Sequence, residues 1–174
     1  MSRVRYCPNS DKIVECMLHI LEVSDIKECE FVYHSLFYAD IFHLHRFCRP
    51  ITGDIYVKTS FDVVPSVAND IIYEHNAFET KEVLYNLKSL CVIAKRKPDM
   101  RYLSETDIKC LDASIKFCKM FSIAAIADNI RKSKAWEYAE IGFPINYLDL
   151  IDQNNENAKE IMDYIKETSE TLVL

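Results

Sequence analysis

Between Phe31 and Leu44 the chain is apolar on nearly every side. Phe31, Val32, Tyr33, Leu36, Phe37, Tyr38, Ala39, Ile41, Phe42 and Leu44 leave no polar stripe at helical spacing. A helix of that kind has to be covered by other elements all round, so it predicts a domain built about one central buried helix. The polar Lys27, Glu28 and Glu30 place its start nearer the surface, and its expected span is about Ile26 to Phe47. The segment Arg49-Pro50-Ile51-Thr52-Gly53-Asp54 sets its end. Pro50 pushes Arg49 out of the α region, so the helix should stop near Cys48. Gly53 is one of only two glycines in the chain. It accepts a positive φ at little steric cost, and Asp54 can bond its own backbone to close a turn.

Periodicity and capping give the other elements. Asn9 or Ser10 can cap a first helix with a one-faced stripe of Ile13, Met17, Ile20 and Leu21. Ser24 or Asp25 can cap the central helix. Asp54 to Thr59 reads as a short strand in which Ile55 and Val57 alternate with Tyr56 and Lys58. Pro65 opens a third helix at its first position. Glu82–Tyr85 and Leu90–Lys95 flank Asn86-Leu87-Lys88-Ser89 as a β-hairpin. Ser104 with Asp107 has the spacing of a capping box, and Leu103 with Ile108 that of a hydrophobic staple. Ser122 caps a short helix through Ile126, and Ser133 caps another carrying Trp136 and ended by Gly142-Phe143-Pro144. A last amphipathic helix, about Asn157 to Thr168, turns Ala158, Ile161, Met162 and Ile165 inward. The fold class is mainly α (α+β), a compact helical domain with a short strand and a small β-hairpin. Residues 1–152 are expected to form the domain, and residues 153–174 a helix packed on it or extending it.

Composition removes several functions. A net charge of −6 disfavours nucleic acid as the main partner of this chain alone, because that affinity comes largely from Lys and Arg on phosphates. Seven cysteines with no apolar leader before them fit reduced thiols in a cytoplasm, and no apolar run approaches a membrane span. Two glycines so far apart exclude a P-loop and a dinucleotide fingerprint. There is no G-x-S-x-G, H-E-x-x-H or C-x-x-C. His43 and His45, two apart, do not share a helical face. Cys110 and Cys118 read as small apolar residues. Glu79-Thr80-Lys81 has the E-x-K spacing of metal-dependent nucleases, with Asp62 or Asp70 as a second carboxylate, but it falls in an expected loop. No metal and no cofactor is therefore expected. Arg49 is expected to pair with Asp40 or Asp54, tying the turn to the central helix.

Phe37-Tyr38-Ala39-Asp40 with His43-Leu44, then Arg49 to Asp54 with Tyr56, then Val63-Val64-Pro65-Ser66, resemble the Panacea domain, the SocA-like antitoxin family. Leu103-Ser104-Glu105 and Ala135-Trp136 are similar to its later motifs, and the resemblance spans about residues 10 to 152. Cys48 and Asp62 stand where the family usually has glycine. If those positions need φ > 0, both must adopt it, which Asp does occasionally and Cys rarely. The resemblance implies a non-enzymatic antitoxin that binds and neutralises a cognate protein toxin, with some members acting as adaptors to a protease. Homo-oligomerisation is compatible with it. The family turn, Arg49, Pro50, Thr52, Gly53 and Asp54, with the nearby Phe61, Asp62 and Val63 and with Trp136, supplies the partner-binding candidates. The alternatives are the nuclease-like enzyme on Glu79 and Lys81, and a transcriptional autoregulator, for which no basic helix-turn-helix is evident.

Overall fold

The computed structural model describes residue 4 and residues 6–85, 87–152, 154 and 157–168. Its elements are α1 (Ser10–Ser24), α2 (Cys29–Phe47), β1 (Tyr56–Lys58), β2 (Val63–Pro65), α3 (Ser66–Glu74), β3 (Phe78–Tyr85), β4 (Leu87–Ala94), α4 (Glu105–Lys119), α5 (Ile123–Arg131), α6 (Lys134–Tyr138) and α7 (Ala158–Thr168). Two antiparallel pairs, β1–β2 and β3–β4, accompany the helices. The fold is mainly α with small β elements, as the patterning indicates.

The helix that the sequence makes apolar all round is the middle of the molecule. In α2 the residues from Phe31 to Asp40 are buried without interruption. α4 lies along it, with Tyr38 and Phe117 at 4.6 Å between ring centroids and Phe42 edge-on to Phe117. Such aromatic pairs add to the gain from area burial alone. α2 ends where Pro50 requires, with Cys48 as its C-cap.

α1 departs from its one-faced stripe. Val14, Cys16 and Leu18 are buried together with Ile13, Met17, Ile20 and Leu21. The helix tolerates this because its polar side chains find partners: Lys12 with Asp107, Glu15 with Arg96, and His19 with Asp112. Asn9 caps it by accepting from the Lys12 N–H. Neither Ser24 nor Asp25 caps α2. Ser24 is the last residue of α1, and Asp25 terminates that helix in the left-handed region at φ 57. The stretch before Cys29 instead runs beside β4, where the Lys27 carbonyl accepts the Val92 N–H at 2.7 Å.

The β elements correct the expectation in three places. In β1 the inward residue is Tyr56, whereas Ile55 is exposed. Pro65 closes β2 opposite Tyr56 and precedes α3 instead of starting it. The larger hairpin is longer than expected. It runs from Phe78 opposite Ala94 to Tyr85 opposite Leu87, so Leu87, Lys88 and Ser89 lie in β4 and not in a loop. Asn86 lies outside the described residues.

The caps at Ser104, Ser122 and Ser133 all form. Ser104 and Asp107 make the reciprocal capping box, and α5 runs on to Arg131, beyond the expected short helix through Ile126. After α6, Gly142 to Ile145 returns alongside β1. Gly142 donates to the Lys58 carbonyl, Lys58 to the Phe143 carbonyl, and Ile145 to the Tyr56 carbonyl. In α7, Ala158, Ile161 and Ile165 join the same apolar core, with Met162 at its margin.

Candidate functional site

The turn after α2 is organised by a carboxylate within that helix. Asp40 is completely buried. Its Oδ1 accepts the Ile51 and Thr52 N–H groups at 2.8 and 2.9 Å. Its Oδ2 accepts the Thr52 hydroxyl and, at 2.8 Å, the Tyr56 hydroxyl. A carboxylate offers about four lone-pair sites, so this one is saturated. Burial nevertheless raises its pKa above the ordinary range, against the opposing pull of these donors.

Asp54 does the same for the other end. It accepts its neighbour's N–H at Ile55 and then, across space, the Val67 and Ala68 N–H groups, both at 2.9 Å. These belong to the first turn of α3, whose own cap position is Pro65 and supplies no side-chain acceptor. Asp54 thus caps, from a distance, a helix that begins only at Ser66, and its charge suits that terminus. Burial dominates here too, raising its pKa to about 6. Between the two acids Gly53 takes φ 65, a conformation that any Cβ would disfavour. Tyr147, from the far end of the chain, donates to the Asp54 carbonyl at 2.8 Å.

Arg49 pairs with neither Asp40 nor Asp54, because backbone and hydroxyl donors already occupy both. Its closest carboxylate is Asp107, at 4.0 Å. That acid is a second buried hub, with Lys12 at 3.0 Å and the Ser104 N–H at 2.8 Å. Burial works against its charge, but the Ser104 bonds and Lys12 prevail and hold its pKa below the usual value. His43 stands beside it, donating from Nδ1 to the Arg49 carbonyl at 2.8 Å. Its burial lowers its pKa.

The sequence-selected residues therefore divide by exposure. Pro50, Thr52, Gly53, Asp54 and Val63 are buried, and Arg49, Asp62 and Trp136 are intermediate. Phe61 is 77% exposed. It sits at the tip of the β1–β2 hairpin, where Thr59 and Asp62 close the loop. Arg131 of α5 holds the Phe61 carbonyl from outside, and Asp62 reaches inward to His34 at 2.6 Å. In β1, Lys58 lies 4.7 Å from the Trp136 ring centroid and caps the Trp136 and Ala139 carbonyls. Tyr138, Ile141 and Phe143 beside it are all at least half exposed. A cleft of about 700 Å³ is lined by Tyr38, Ile41, Asn129, Lys132, Leu150 and Asp152.

Glu79 and Lys81 lie in β3 and not in the expected loop, so the two share one face of a strand, while Asp62 is bonded to His34. Among the described residues no three His, Cys, Asp or Glu side chains are grouped as a metal site. Sequence reasoning missed Tyr147 as a member of the turn, and no local pattern around it signals the contact. It also missed Asp54 as the cap of α3, for which the absence of Ser, Thr, Asp or Asn at position 65 was the available sign.

These features define a small helical domain whose motif residues are turned inward to shape a rigid hairpin and an aromatic rim. A family model described as "Antitoxin SocA-like, Panacea domain" matches residues 34–137, and the chain belongs to that family. No curated protein and no solved structure matches it.

Proposed function

We propose that this chain is the antitoxin of a toxin–antitoxin pair and neutralises a cognate protein toxin by direct, non-enzymatic binding. The observation that carries the reading is the contrast within the family turn. Its polar groups are spent on one another, and its outward product is Phe61 on a hairpin anchored at both sides. Aromatic side chains are enriched at the core of protein interfaces. Phe61, the Trp136 edge and the exposed Tyr138 and Phe143 supply them, with the cleft by Asn129 as a separate concavity.

The acidic chain suits a basic toxin, whose approach it would speed in a salt-dependent way. No helix among the described residues is long and apolar enough to cross a membrane, and we place the encounter in the cytoplasm. Neutralisation by covering the toxin is the simplest outcome, and a role as adaptor to a protease adds a second partner to the same complex.

The test is co-expression with the product of the adjacent reading frame. Growth arrest by that product alone, relieved by this chain, is the expected result. Phe61→Ser should abolish relief while the protein stays folded. Turnover of a nucleic acid by the purified chain alone would overturn the reading.

A further inference from the structure

The β3–β4 hairpin has one covered edge and one open one. On β4 the outward N–H of Val92 is taken by the Lys27 carbonyl, and Glu28 bridges to Cys91. The open edge is that of β3. In an antiparallel pair, residues alternate between bonding their partner and pointing away. Lys95 donates to the Ala77 carbonyl, and Thr80 stands opposite Val92, which itself points away from β3. Glu79, Lys81 and Val83 therefore bond β4, while Phe78, Thr80 and Glu82 turn their N–H and C=O groups outward. Phe78 gives its N–H to the His75 carbonyl. No described residue bonds the backbone of Thr80 or Glu82 on that side.

We propose that the outer edge of β3, at Thr80 and Glu82, is a strand-addition site that takes an extended segment of the protein partner with Lys or Arg opposite Glu82. Backbone groups held in register supply the attraction, and the side chain opposite Glu82 supplies the selection. Exposed charges at Glu79, Lys81 and Glu82 discourage indiscriminate pairing along an edge while leaving it open to a strand of complementary charge.

A second copy of the chain fits less well. A two-fold pairing centred on Glu82, or on Lys81, sets two like charges opposite each other, which destabilises a sheet. One centred on Thr80 needs the Phe78 N–H, which His75 already holds. The chain's net charge of −6 likewise favours a basic segment over an acidic one.

The proposal rests on the reading of this chain as a toxin-binding protein, and one experiment separates the two. The chain is co-expressed with the product of the adjacent reading frame, and amide hydrogen exchange is followed in the free chain and in the complex. Exchange at Thr80 and Glu82 should slow on binding, whereas Glu79, Lys81 and Val83, bonded to β4, should be slow in both states and serve as internal references. Thr80→Pro and Glu82→Pro, which remove only outward N–H groups, should each weaken the complex about tenfold, roughly the worth of one or two backbone hydrogen bonds. Glu82→Lys, which leaves the backbone intact, should weaken it too. A complex that forms with unchanged exchange at both amides and full tolerance of the three variants overturns the strand site alone. Absence of any complex overturns both readings. Slowing that depends on the concentration of this chain without its partner assigns the edge to a second copy and overturns the proposal.

Discussion

Asp40 accepts both the backbone N–H and the side-chain hydroxyl of Thr52, so a single buried carboxylate fixes the turn beyond the end of its own helix. Asp40→Ala would leave two N–H groups and two hydroxyls without their acceptor inside the core. The expected loss is about 3–5 kcal/mol in urea denaturation. Asp40→Asn should cost less, because both hydroxyls can rotate to accept from the amide.

Asp54 gives the stability a pH dependence of known sign. Its pKa is about 6 in the fold against 3.8 for the unperturbed group, so the folded state binds more protons between those values. Its contribution is fully present below about pH 4 and is lost as pH rises toward 6, at up to roughly 1.4 kcal/mol per unit. Asp54→Asn should remove that slope. The check is the difference between wild-type and variant unfolding free energies measured from pH 4 to 7, which should shrink as pH rises to about 6 and level off above it.

The two positions where the family resemblance implies glycine behave differently. Cys48 adopts φ 56, whereas Asp62 has no positive φ. Cys48→Gly should therefore stabilise the protein by about 1 kcal/mol, since the left-handed conformation costs an L-residue roughly that much. Asp62→Gly should destabilise it, because the acid bonds His34. Paired thermal melts decide between them.

Ser104→Ala should cost about 1 kcal/mol, the usual worth of an N-cap. Asp107→Ala removes the other half of the same box but also strands Lys12, which is only 10% exposed. Its expected cost is about 3–5 kcal/mol. Denaturation of the two single variants measures the contrast.

What was legible in the sequence was local. Pro50, Gly53 and the Ser104–Asp107 spacing fix backbone geometry within a few residues, and the end of α2, the turn and the start of α4 lie where they indicate. The all-round apolar run from Phe31 marked the central helix for the same reason. Pairing across space was not legible. Which acid Arg49 meets depends on α4 lying against α2. The inward face of β1 is set by the Tyr56 hydroxyl reaching Asp40, and the extent of β3 by partners on β4. None of these leaves a trace in the spacing of neighbours. The family turn was found, but its burial was not, because a run such as Thr52-Gly53-Asp54 has the composition of an exposed loop.

The bond from Tyr147 to the Asp54 carbonyl joins residues 93 apart in the chain, and Tyr147 lies beyond the stretch that the family match covers. During synthesis this corner stays unfinished until Tyr147 has left the ribosome, and a nascent product that stops short of that residue would expose the Asp54 turn incomplete.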